Sequence, residues 1–213
     1  MKRRRILEPI DRISEVLFAL IMVLTFTGSL SVAEAGRADV REMLIAALGC
    51  NLAWGIVDGV MHLMGCLADR GGDRRLVQSV RSAPGPDEAR RVVVDALPAV
   101  VASVVRPPEL ESLRERLHAL PEPARVRLGR EEWLGALGVF LLVFLSTFPV
   151  VLPFLFIHEV FPAMRASNAV ALTMLYLTGH AFGRVVGLRP WLTGLAMVGV
   201  GSALVAVTIA LGG

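Results

Sequence analysis

The stretch Asn51–Cys66, NLAWGIVDGVMHLMGC, decides how this chain is read. It lies inside a long apolar segment, yet it holds an Asn, an Asp, a His and a Cys. At helical spacing, Asn51, Gly55, Asp58, His62 and Cys66 fall on one stripe, with steps of four, three, four and four. An otherwise apolar helix thus keeps a line of metal-ligating and proton-carrying groups.

The surroundings of that stretch place it in a membrane. Of the 213 residues, 54% are hydrophobic, and the mean hydropathy is +0.63. That is too apolar for an ordinary soluble domain. Five apolar segments, roughly 13–33, 43–66, 133–157, 167–186 and 191–211, each approach the ~20 residues a spanning helix needs. The two cysteines, Cys50 and Cys66, share one segment, with neither a disulfide framework nor a zinc spacing. A pI of about 9.5 would also suit a nucleic-acid binder. In a chain with these segments it reports cytoplasmic loops instead, so nucleic acid is not an expected partner and membrane lipid is.

The basic residues set the orientation. Nineteen of them fall in the N-terminal end, in the segment between the second and third apolar runs, and between the fourth and fifth; three, Arg37, Arg41 and Arg165, fall on the other side. The positive-inside bias puts the N-terminus in the cytoplasm and the C-terminus outside. A basic start and AEA at Ala33–Ala35 resemble a cleaved secretory signal. Glu8, Asp11 and Glu15 within that start, and four further spans, argue against cleavage.

The expected fold class is an all-α membrane protein: five transmembrane helices with a small helical cytoplasmic insertion between helices 2 and 3. Residues 1–66 form an N-terminal membrane part of two spans, 67–131 the insertion and 132–213 a C-terminal membrane part of three spans. In the insertion, DRGGDRR (Asp69–Arg75) reads as a flexible exit. PDEARRVVVDALPAVVASVV, from Pro86, reads as a helix that Pro98 kinks or splits. PPELESLRERLHAL, from Pro107, reads as an amphipathic helix with Leu110, Leu113, Leu117 and Leu120 on one side. The acids Glu88, Glu109, Glu111, Glu115 and Glu122 are scattered among arginines, a pattern that predicts no metal cluster there.

Ionisable groups at bilayer depth usually face a bundle interior or a hydrated path. Glu15, Asp58, His62 and Met61 are the candidate metal ligands. Carboxylate and imidazole suit borderline divalent metals, and thioether sulfur shifts preference toward softer ions. Asp58 and His62, at i and i+4, can present two ligands to one ion. A carboxylate in apolar surroundings exchanges a proton when metal arrives or leaves. Asp11, Asn51, Met22 and His180 are candidate pathway or structural polar residues. Pro149 and Pro153, in STFPVVLPFLF, are candidate helix-kink positions. Plainer readings stand beside these. The Asp–His pair can be a neutral structural hydrogen bond. The methionines and cysteines can be packing, and His180 can cap a helix end. The glycines of the spans allow close helix contact. No nucleophile–base set or cofactor motif appears, so an enzyme is not expected.

Several stretches together resemble the vacuolar iron transporter family. FPVVLPFLF (Phe148–Phe156) is similar to its Pro-Leu-Leu-Pro third helix. LTGHAFGRVVG (Leu177–Gly187) resembles its Gly-x-x-x-Gly-basic fourth-helix end. The run from Arg189 resembles its fifth helix, and DRISEVLFALIMVLTFTGSLSVA (Asp11–Ala33) its first. The resemblance covers all five apolar segments. It implies a homodimer that exports Fe²⁺, and sometimes Mn²⁺, from the cytoplasm in exchange for protons. It also implies a path lined by acidic and methionine residues of the first two helices at the dimer axis. The ion is then cargo, with no permanently bound cofactor. The compact, Arg-rich chain reads as a bacterial inner-membrane protein.

Overall fold

The computed structural model describes residues 9–28, 37–121 and 127–210. Ala33–Ala35, the end of the first apolar segment and Glu122 lie outside them. The described residues are mostly helical, joined by short turns, with no strand among them. In chain order they form α1 (Pro9–Gly28), α2 (Arg37–Ser82), α3 (Pro86–Ala96), α4 (Ala99–Ala102), α5 (Pro107–Ala119), α6 (Arg130–Ser146), α7 (Phe148–Phe156), α8 (Val160–Val186) and α9 (Pro190–Ala210). The chain divides into two compact units, Met1–His62 with Arg130–Gly213, and Leu63–Gly129.

Among the described residues, three stretches are long and apolar enough to cross a membrane: Val40–Ser82, Arg130–Phe156 and Val160–Val186. Pro190–Leu204 is a shorter apolar helix. In the larger unit α1 packs against α6, α8 and α9. Leu20, Val23 and Leu24 of α1 meet Val150 of α7 and Ala171 and Leu175 of α8 in one buried cluster. In lipid the tails are as apolar as these side chains, so helix pairing depends on close van der Waals approach. The glycines of α8 and α9 supply it. A Cβ on Gly179 would lie 2.6 Å from Met197 Cγ, and one on Gly194 2.7 Å from the Tyr176 ring. Gly187, with φ of 81°, ends α8 in the left-handed conformation that glycine adopts without a Cβ penalty. The Leu188 N–H then donates to Gly183 O at 2.9 Å.

The prolines break the third apolar run beside a pair of hydroxyl residues, Ser146 and Thr147. Pro149 opens α7, and Thr147 separates it from α6. A proline nitrogen cannot donate to the carbonyl four residues back. At Pro149 the carbonyl concerned is that of Leu145; the hydroxyls beside the break bond earlier carbonyls, Ser146 Oγ donating to Val143 O at 2.8 Å and Thr147 Oγ1 to Phe144 O at 2.7 Å. Pro153 sits inside α7, and Ser167 Oγ of α8 donates to the neighbouring Val150 O at 2.7 Å. Side-chain hydroxyls thus add hydrogen bonds to backbone carbonyls around both prolines, and the one from Ser167 ties α8 to α7.

The smaller unit has its own core. Val80, Ala89 and Val93 are buried against Leu76, Leu110, Leu113 and Leu117, and a buried valine of this kind is worth about 1.5–3 kcal/mol. As expected from Pro98, the helix from Pro86 stops at Ala96, and Pro98 caps the short α4. Two expectations fail. DRGGDRR is not a flexible exit, because α2 runs unbroken through Gly71 and Gly72 to Ser82. Each glycine costs about 1 kcal/mol in a helix, and the burial of Val77 and Val80 further along offsets that. Leu120 does not join the leucine face; it ends α5, 44% exposed.

Candidate functional site

α1 and α2 bring two of the predicted acids together. The carboxyls of Glu15 and Asp58 come close enough across the two helices to act on each other, with Asp11 near enough to add its charge. Asp58 Oδ2 is nevertheless buried without a partner among the described residues, so acceptor capacity on Asp58 stays unused. One turn toward the N-terminus of α1 from Glu15, Asp11 is exposed. On the same flank of α2, Phe18 and Trp54 meet edge to face at 5.1 Å between ring centroids.

α6 holds the stripe from the other side. The Gly59 Cα approaches so closely that a Cβ would lie 3.2 Å from Ala136 O, and one on Gly55 would lie 3.0 Å from Phe140 Cδ2. The imidazole of His62 lies over Gly135, where a Cβ would overlap its Nε2. Gly55, Gly59 and His62 therefore face α6. Asn51, fully buried, spends its Nδ2 on Ala47 O at 3.1 Å and leaves Oδ1 without a partner among the described residues.

The other predicted residues stand apart from this group. Met61 is 61% exposed on α2, and Met64 is 62% exposed. Met22 is half-buried on α1, and its carbonyl accepts from Thr25 Oγ1 at 2.6 Å. His180 lies within α8, its ring 6.0 Å from that of Tyr176 and its Nδ1 buried without a partner among the described residues. It caps nothing, because α8 continues to Val186 and ends on Gly187. No group of three or more His, Cys, Asp or Glu side chains among the described residues is arranged to hold a metal ion.

Residues 88–213 match the VIT family model. The chain belongs to this family, the vacuolar iron transporters. The matched residues include Pro149, Pro153 and His180; Glu15, Asp58 and His62 precede them. VIT membership points to a metal-ion transporter, and with the apolar helices described above it makes the chain a multi-pass membrane protein. No curated protein is similar enough in sequence to match it.

Two polar contacts were not singled out by residue spacing. Thr27 Oγ1 of α1 donates to Asn168 Oδ1 of α8 at 3.3 Å, and Ser167 tethers α8 to α7. Gly135 was likewise unmarked, because nothing local ties it to His62. The only signal was compositional: Thr27, Ser167 and Asn168 are hydrogen-bonding residues inside apolar runs, and such residues need partners on neighbouring helices.

Proposed function

We propose that the chain is a proton-coupled carrier of a divalent transition-metal ion, Fe²⁺ or Mn²⁺. It works as a homodimer of five-span protomers in a bacterial inner membrane, with the N-terminus and the insertion cytoplasmic. The observation that carries this reading is the pairing of Glu15 with Asp58 across α1 and α2, in a chain of a transporter family. An ionised carboxylate only accepts hydrogen bonds, so two carboxyls bond to each other only when one holds a proton. A divalent cation arriving between them replaces that proton as the bridge. Its departure lets the proton return, and this couples the two flows. His62, one turn on from Asp58, is not grouped with the two acids in this structure; turned toward them during transport, its imidazole favours a transition metal over Mg²⁺.

The deciding experiment is metal flux into proteoliposomes with and without a pH gradient. Fe²⁺ or Mn²⁺ movement that the gradient drives supports the carrier. Flux absent under every gradient overturns it. A second reading, a non-transporting protein whose polar stripe only holds helices together, draws on Asn51, whose amide bonds to its own helix, and on the tight Gly55 and Gly59 approach to α6.

A further inference from the structure

A cavity of about 540 Å³ opens in the larger unit, away from Glu15 and Asp58. Val40, Leu44 and Leu48, one face of the first turns of α2, form one wall. Val151, Phe154 and Leu155 of α7 form another, and Ala163 of α8 closes it. The floor is dry: Val40, Val151 and Ala163 are all buried. Two polar side chains line it, Arg41 near the start of α2 and His158 between α7 and α8, and both are exposed. Both belong to the ends of long apolar helices, where spanning segments meet headgroups.

We propose that this groove binds a phospholipid with an anionic headgroup. Its volume is that of a ligand site, and apolar walls with a few polar groups at one end are what such sites present. The walls match an acyl chain. At the mouth stand a guanidinium and an imidazole, with no carboxylate among the lining residues. Arg41 has no hydrogen-bond or ion-pair partner among the described residues, so its planar fork is available for the paired hydrogen bonds that phosphate oxygens accept. His158 has Nδ1 3.4 Å from Phe156 O, which turns Nε2 to other use. A zwitterionic headgroup would bring a cationic amine to the same two groups, and the groove discriminates against it.

The test uses the full-length protein in a neutral detergent, stripped of lipid and titrated with dioleoyl phosphatidylglycerol or dioleoyl phosphatidylcholine. Native mass spectrometry reads the bound lipid. The wild type is expected to retain phosphatidylglycerol with a preference of roughly tenfold, about 1.4 kcal/mol. Arg41→Gln removes most of that preference and His158→Gln part of it. Leu155→Trp, which places a large ring at an exposed rim position, lowers retention of both lipids. Equal retention of phosphatidylglycerol by wild type and Arg41→Gln overturns the proposal. So does a Leu155→Trp variant that changes the monomer–dimer ratio and leaves lipid retention intact, since the occupant is then a second copy of the chain.

Discussion

Gly135 of α6 lies directly beneath the imidazole of His62: a Cβ built on it would overlap Nε2 and come within 3.1 Å of Cδ2. The absence of a side chain at one position thus fixes where a candidate ligand on another helix can sit. Gly135→Ala must displace the ring or part the helices, and overpacking of this kind costs about 1–3 kcal/mol. His62→Ala removes the ring and frees that space. The double variant Gly135→Ala/His62→Ala is therefore expected to be more stable than the sum of the single effects predicts. Thermal unfolding of the four proteins in detergent checks this, and strict additivity refutes the contact.

A second prediction concerns the acid pair. Asp58→Asn preserves shape and hydrogen bonding but removes the charge. The variant is expected to fold and assemble as the wild type does, yet to lose metal-dependent proton movement in proteoliposomes. His62→Gln is expected to weaken Fe²⁺ affinity more than Mg²⁺ affinity, because the imidazole is what distinguishes them. If both variants keep full transport and only lose a few degrees of thermal stability, roughly 1 kcal/mol, the stripe is structural.

The stripe from Asn51 to His62 was legible because helical period alone puts those residues on one face. The break near Pro149 and the split at Pro98 were legible because proline lacks a donor whatever surrounds it. The continuation of α2 through Gly71 and Gly72 was not. Local propensity there favours a break, and the compensation comes from Val80 and Leu76, which pack with residues of α3 and α5 further along the chain. The pairing of Glu15 with Asp58 was foreseeable in residue type but not in register, since nothing local says how far α1 slides along α2. Met61 illustrates the same limit: its type suggested a ligand, while its azimuth, one residue from His62, leaves it exposed.

The arginine distribution makes a third prediction. The five-span reading puts nineteen basic residues on one side and three on the other; on it, a reporter fused after Gly213 is expected to read outside, and one inserted near Gly85 to read inside. A cytoplasmic C-terminus would mean that an even number of segments spans, and α9, the shorter apolar helix, would be the first to lose its place.

The fourth prediction concerns the glutamates of the insertion. Glu111 is bound by Arg114, whose Nε donates to Oε1 at 2.8 Å, with Arg90 Nε 3.7 Å from Oε2. Glu109 accepts from the Arg106 N–H at 2.9 Å at the start of α5, and Glu115 lies 3.8 Å from Arg114. The acids are thus engaged by arginines of the same helix or its neighbour. The hydrogen bond from Arg114 is the main reason that the Glu111 carboxyl is held below its usual range. A lowered value means that this pairing contributes fully above the ordinary carboxylate range and is lost as the pH falls through the depressed value. Around neutral pH the pairs are intact, and a metal ion would have to displace a guanidinium to reach any of the three. The triple variant Glu109→Gln/Glu111→Gln/Glu115→Gln is accordingly expected to bind Mn²⁺ with affinity within about twofold of the wild type by titration calorimetry at neutral pH. A tenfold fall, about 1.4 kcal/mol, would mean that the insertion collects metal after all. The arginines would then be regulating access to those carboxylates rather than occupying them.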